Sequence, residues 1–189
     1  MSLLILGLVL FLGVHSVSIV AEGFRNRMSA ANPALWKIGY ALISLVGIVL
    51  IVNGYGASRA DPVWLWAPPA WTSHVTALLM VPMFTLFIAP YLPGRISRAA
   101  KHPQLVAVKL WAVAHLIANG TLADLLLFGS FLAWAVVDRI SLKRRAPRAI
   151  PGAPESGMND VIAVVVGLAL YVLFVVWAHW ALFGVAPFG

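Results

Sequence analysis

The sequence predicts an all-α membrane protein that crosses the bilayer several times. Hydrophobic residues make up 62% of its 189 residues, charged residues make up only 10%, and the mean hydropathy is +0.95. A soluble domain carries about a quarter charged residues. The charges here are concentrated between long apolar runs. We therefore predict a single transmembrane helical domain over residues 1–189 and exclude a soluble enzyme.

Six segments predict spanning helices, which need about 20 mainly apolar residues, within a range of about 17 to 25. They lie near residues 2–21, 38–57, 73–92, 103–118, 122–138 and 161–183. The fourth and fifth are near the lower limit and are joined only by Asn119-Gly120-Thr121, which predicts a tight helical hairpin. Thr121 and Asp124 have the spacing of a capping box at the start of the fifth. Asn159 or Asp160 is expected to cap the sixth.

Basic residues predict the orientation, because cytoplasmic connections carry an excess of lysine and arginine. Connections 22–37, 93–102 and 139–160 together carry eleven such residues, whereas the opposite side carries only Arg59. Both termini are therefore expected on the periplasmic side of a bacterial cytoplasmic (inner) membrane. The basic clusters are expected to contact anionic lipid, so the net charge of +7 does not indicate a nucleic-acid partner.

The chain has no cysteine. This excludes disulfides, thiolate catalysis, cysteine-ligated iron–sulfur clusters and covalent c-type haem, which needs a C-x-x-C-H motif. A metal or cofactor would have to be held by other side chains.

Two polar stripes run along the predicted helices and point to a functional site. At about 100° per residue, His15 shares a face of the first span with Ser18 and Glu22. His115 shares a face of the fourth span with Trp111, Asn119 and other residues. Ionisable groups within a bilayer are costly and usually functional. Lys109 lies about 120° from His115 around the same helix, so it is expected to reach toward the interface.

The two histidines predict a non-covalent haem b. Neutral imidazole is the form that binds metals, and haem b needs only side-chain axial ligands. His15 and His115 would hold the iron, with Asn119 and Trp111 beside it. The cations expected near the haem propionates are Arg95, Arg98, Lys101 and Lys109. The alternative is that the histidines only form interhelical hydrogen bonds.

The depth of the two histidines leaves the ligand pair open. His15 lies about 9 Å from the cytoplasmic end of its span, and His115 about 18 Å from that end of its own. His102, which precedes Pro103 at a helix start, is therefore an alternative ligand. His74 is expected at the interface. His179 lies beside Trp177 and Trp180, which favours a role in an aromatic belt.

Three stretches of the sequence resemble the NnrU family of bacterial membrane proteins. They are LGVHSVSIVA, GYGASRADPVWLWAPPAW and the long run that begins at Lys101, KHPQLVAVKLWAVAHLIANGTLADLLLFGSFLAWAVVDRISLKRR. The family is associated with denitrification and nitric oxide metabolism. Parts of residues 2–145 also resemble 15-cis-ζ-carotene isomerase, a haem b membrane enzyme related to that family. The matching pieces contain His15, His102 and His115, and the resemblance implies His15 and His115 as axial ligands.

Three functions follow as expectations. The first is a haem b protein that serves nitric oxide or denitrification metabolism by sensing nitric oxide, transferring electrons or supporting nitrogen-oxide reductases, with partners in nitrogen-oxide respiration. The second is a haem-dependent cis–trans isomerase of a carotenoid-like polyene, which is the reaction expected if the protein is an enzyme. The third is a cofactor-free membrane helper or transporter. Whether the protein is an enzyme stays open.

Overall fold

The computed structural model describes residues 1–188, and these residues form helices and no strand. Each of the six predicted segments coincides with helical structure, apart from residues 21 and 92 at two of their ends. A 3₁₀ turn follows α4 and a π-helical turn joins α8 to α9. The helices are α1 Ser2–Val20, α2 Glu22–Ala31, α3 Pro33–Ser58, α4 Thr72–Ile88, α5 Arg95–Ala100, α6 Pro103–Ala118, α7 Leu122–Ser141, α8 Met158–Leu173 and α9 His179–Phe183.

Four helical segments are long and apolar enough to cross a membrane: Ser2–Val20, Pro33–Ser58, Thr72–Tyr91 and Met158–Phe183. Many of their large apolar side chains lie on the outside of the bundle, which is stable only in apolar surroundings. The chain is therefore described as a membrane protein with four candidate spans. Helix α6 has 16 residues and α7 carries three charged residues, so the fourth and fifth predicted spans stay predictions.

Helices α1 and α3 pack closely because glycines line their contact. A Cβ atom added to Gly7 would lie 2.6 Å from the Ile51 amide nitrogen, and one added to Gly47 would lie 2.9 Å from the Phe11 amide nitrogen. Small residues allow two backbones to approach in this way. Helix α7 packs on α1, α6 packs on α7, and α4 packs on both α6 and α8. The α6–α7 hairpin therefore joins the α1–α3 pair to the α4–α8 pair.

The loop between α3 and α4 lies across the tip of the α6–α7 hairpin. The amides of Leu65 and Trp66 donate to the Gly120 carbonyl at 2.8 and 3.1 Å, and the Leu122 amide donates to the Val63 carbonyl at 2.8 Å. A side chain at position 120 would overlap the Trp66 carbonyl. We call this end of the bundle the loop end, and the opposite end, which carries the basic clusters, the basic end.

The predicted capping box is confirmed. The Thr121 hydroxyl accepts from the Asp124 amide, and the Asp124 carboxylate accepts from the Thr121 amide at 2.8 Å. The prediction that Asn159 or Asp160 caps the last helix is wrong. Gly157 occupies that position without a side-chain cap. The Asp160 carboxylate instead accepts from the backbone amides of Arg95 and Ile96, where it caps α5.

Candidate ligand-binding site

His15 is half-buried and enclosed by aromatic rings. Its Nδ1 lies 2.6 Å from the Phe11 carbonyl oxygen. Because a carbonyl oxygen only accepts, Nδ1 donates, and the neutral ring presents the lone pair of Nε2. The ring stacks on Phe11 at a centroid distance of 4.2 Å, and Tyr40 and Trp134 follow at 5.0 and 5.9 Å. His15 therefore has a fixed tautomer within a closely packed aromatic surrounding.

His115 has the same local geometry on α6. Its Nδ1 donates to the Trp111 carbonyl at 2.8 Å, which again leaves Nε2 unprotonated. The ring stacks on Phe128 of α7 at a centroid distance of 4.7 Å. The Asn119 side-chain amide donates to the His115 carbonyl at 2.8 Å. Asn119 thus contacts the backbone of His115 at the end of α6.

The predicted ligands His15 and His115 are connected through aromatic side chains. A series of aromatic rings lies between them: Phe11 is 5.5 Å from Phe131, and Phe131 is 5.3 Å from Trp111, measured between ring centroids. Trp111 in turn lies 5.5 Å from His115. The pairing of His15 with His115 as haem ligands stays a prediction.

His102 lies at the start of α6, near the basic end, and its side chain does not cap the helix. Burial lowers the pKa of His102, Arg139 lowers it further, and Asp138 opposes the shift. His102 stays a predicted alternative ligand.

The predicted propionate partners are spread over the surface. Arg95 and Arg98 are exposed, and Arg98 pairs with Glu155. Lys109 is half-buried on α6. A different cation is buried: the Arg145 side chain is 8% exposed and pairs with Asp138. Sequence analysis missed Arg145, because within a run of basic residues nothing distinguishes the one that folds inward.

Two buried donor atoms lack a hydrogen-bond partner among the described residues. They are the indole Nε1 of Trp134 and the Nε of Arg145. Trp134 lies beside His15, and Arg145 is paired with Asp138. Buried unpaired donors are costly, and here they give the region between His15 and the basic end a surplus of donors.

A cavity of about 360 Å³ lies between α4, α6 and the C-terminal helices. Its volume is typical of small-molecule sites. His115 and His179 both line it, together with the thioethers of Met80 and Met83. The aromatic side chains in its wall are Phe84, Trp111, Tyr171, Phe174 and Phe183.

A second cavity of about 490 Å³ lies between α3, α7 and α9. Trp111 and Phe183 line both cavities, so they form the partition between the two. Tyr55 also lines the second cavity, and its hydroxyl donates to the Asp124 carboxylate at 2.5 Å. The Asp124 carboxylate therefore caps α7 and also holds α3 against it.

The donor set limits the kind of metal centre that the protein can hold. Within residues 1–188, no three or more histidine, cysteine, aspartate or glutamate side chains are grouped to bind a bare ion. A porphyrin brings four equatorial nitrogens of its own and needs only one or two imidazoles from the protein. The histidines that present Nε2 are compatible with that requirement.

These features define an all-helical membrane protein in which histidines of fixed tautomer lie beside aromatic rings and an apolar cavity. A family model described as NnrU protein matches residues 3–187. The chain therefore belongs to the NnrU family, which confirms the resemblance found in its sequence. No curated protein and no solved structure matches the chain. The relation to the carotene isomerase stays a prediction.

Proposed function

We propose that the protein is a haem b-binding integral membrane protein that serves nitric oxide or denitrification metabolism. The observation that carries the proposal is the geometry of His115. Its Nδ1 is fixed on a backbone carbonyl, its ring borders a cavity of about 360 Å³, and its Nε2 retains the lone pair that an iron ion needs. Such fixing of one ring nitrogen is typical of metal-binding histidines.

The lining of the cavity suits the apolar face of a porphyrin, whereas the lysines and arginines expected beside the propionates lie outside that lining. Trp111 and Phe84 give the cavity flat apolar walls. Trp111 also separates this cavity from the second one, so a rotation of its side chain would enlarge the available space. When bound, haem iron would supply reversible ligand binding and one-electron redox chemistry. The protein would hold the iron, exclude water with the aromatic wall, and keep His115 in the metal-binding tautomer.

The proposed setting is the bacterial cytoplasmic membrane, crossed six times with both termini in the periplasm. The distribution of basic residues supports this orientation, because eleven lysines and arginines lie in the connections of one side and only Arg59 lies on the other. Helices α6 and α7 would cross as a hairpin beneath the loop-end segment that covers Gly120. The nitric oxide role is supported by the family's association with denitrification.

The second cavity favours one alternative function. Its wall contains Ile48, Ile51, Val52, Leu127 and other apolar side chains, which suit a long apolar molecule such as a polyene. In that case the protein would be a haem-dependent cis–trans isomerase. Conversion of a 15-cis polyene in a carotenoid-producing host, compared with the same host expressing His115→Ala, separates the two functions. Conversion that depends on His115 would favour the isomerase.

Absorption spectroscopy tests the proposed function. We expect detergent-purified protein from haem-supplemented cells to show a Soret band that shifts on reduction. His115→Ala should lose haem or alter the band. The matched control is His74→Ala, because His74 is exposed and lies outside the cavity lining. A wild-type protein without a Soret band, folded and expressed with adequate haem, would contradict haem binding.

A further inference from the structure

We infer that the second cavity, between α3, α7 and α9, holds one acyl chain of a phospholipid whose phosphate group is bound by Arg59. The bound molecule belongs to the leaflet at the loop end of the bundle. This goes beyond the proposed function and does not depend on haem, because neither His15 nor His115 lines the second cavity.

The second cavity opens on the outer surface of the bundle. Four large apolar side chains of its wall are 38–60% exposed, namely Ile48, Val52, Leu182 and Phe183. The inner wall consists of buried side chains, among them Ile51, Leu127 and Phe128. Since α3 is one of the candidate spans, the medium outside this opening is bilayer hydrocarbon. A lipid chain can therefore enter the cavity from the side.

The length of the second cavity corresponds to one leaflet of a bilayer. On α3 its lining runs from Ile48 to Arg59, eleven residues apart, which is about 16 Å along the helix axis. On α7 the lining reaches Phe131, ten residues after the cap Thr121, or about 15 Å from the loop end. Half of a hydrocarbon core is about 15 Å thick. A chain that extends from the loop-end surface to the bilayer centre would therefore fill the cavity.

Arg59 lies at the mouth of the second cavity. Its Nη1 donates to the Phe183 carbonyl at 2.6 Å, which connects the end of α3 to the end of α9. A guanidinium has five N–H donors, so this bond leaves others for an anion. Among residues 1–188, neither Asp61 nor another carboxylate forms an ion pair with Arg59. The loop that follows exposes the tryptophans typical of a membrane interface, which are Trp64, Trp66 and Trp71.

The distribution of polar groups in the second cavity fits an amphipathic molecule. The Asn53 amide donates to the Val49 carbonyl at 2.8 Å, and the Tyr55 hydroxyl donates to the Asp124 carboxylate at 2.5 Å. These deeper donors already have partners, so the wall below Arg59 accepts an apolar chain. A guanidinium binds phosphate oxygens through paired hydrogen bonds. One cation above an apolar cavity therefore favours a phospholipid over a neutral polyene.

Native mass spectrometry of the detergent-purified chain tests the inference, with phosphatidylglycerol as the probe. We expect the wild-type protein to retain one such lipid more strongly than any other. Arg59→Gln should weaken this binding about tenfold, because a charge-assisted hydrogen bond is lost. Arg59→Lys, which keeps the charge but not the paired donors, should have a smaller effect. Val52→Trp should also weaken the binding, because its larger side chain occupies the cavity.

Two matched controls separate this site from general effects. Val46 is 52% exposed and lies outside the cavity lining, about 120° around α3 from Val52, so Val46→Trp should bind lipid as the wild type does. Asp61→Asn changes a charge near the same end and should not weaken binding. If Val52→Trp fails to fold, Ile48→Trp blocks the same cavity.

Three results would overturn the inference. Equal losses in Val46→Trp and Val52→Trp would show that the lipid does not occupy the second cavity. Binding that is lost in Val52→Trp but unchanged in Arg59→Gln would indicate a neutral occupant such as a polyene. A wild-type protein that retains no phosphatidylglycerol would exclude the lipid altogether. The haem proposal would stand in each case, because the Soret band tests it separately.

Discussion

The hydrogen bond between Tyr55 and Asp124 should contribute measurably to stability. Asp124 is 4% exposed, and its carboxylate accepts from the Tyr55 hydroxyl at 2.5 Å and from the Thr121 amide at 2.8 Å. A bond to a charged acceptor contributes about 1.5–3 kcal/mol, whereas bonds between membrane helices reach at most about 1.7 kcal/mol. We therefore expect Tyr55→Phe to lower the free energy of unfolding by about 1.5 kcal/mol.

Asp124→Ala should cost more, because it also removes the helix cap. A lost cap adds about 1 kcal/mol, so the total loss should be about 2.5 kcal/mol. With Asp124 replaced, Tyr55→Phe should have little further effect. The coupling energy of the double-mutant cycle should therefore be about 1.5 kcal/mol. Tryptophan fluorescence during denaturation in bicelles reports the unfolding. Effects that add to within about 0.4 kcal/mol would refute the reasoning.

Two further predictions concern packing and charge. Gly54→Val should destabilise the α1–α3 contact by about 1–3 kcal/mol, because a Cβ there overlaps the Leu4 backbone, whereas Gly56→Val, with open space around it, should not show this packing loss. Equal losses of stability in the two variants would contradict the close approach of α1 and α3 at Gly54. Arg145→Met should cost about 3–5 kcal/mol, because it leaves the Asp138 carboxylate, whose side chain is only 15% exposed, without its partner, whereas Arg98→Met should cost at most about 1 kcal/mol. Thermal unfolding measures the stability of these variants. A larger loss for Arg98→Met than for Arg145→Met would contradict the burial of Arg145.

The helices could be predicted from hydropathy, because apolar runs of sufficient length have few alternatives in a bilayer. Their ends could be predicted where local chemistry decides them, as at Thr121 and Asp124. Asp160 was assigned to the wrong helix because an acidic residue at a helix start usually caps its own helix. Its actual partners, the amides of α5, come from a segment more than sixty residues earlier.

The arrangement of histidines could be predicted only in part. The positions of His15 and His115 on polar faces follow from helical periodicity, and both faces turn toward other helices. Which helix each one meets depends on packing, and α7 inserts Phe131 between them. The place of His179 in the cavity wall was missed because its neighbours Trp177 and Trp180 are typical of an interface, and no sequence pattern indicates a π-helical turn before it.

The π-helical turn at Phe174–Ala178 makes the position of His179 sensitive to chain length. Deleting one residue from the turn would restore a regular α-helix and rotate everything after it by about 100°. His179 would then point away from the cavity, although every residue type in the segment could be retained. Within this family, insertions and deletions before the last histidine should therefore alter the site more than most substitutions do.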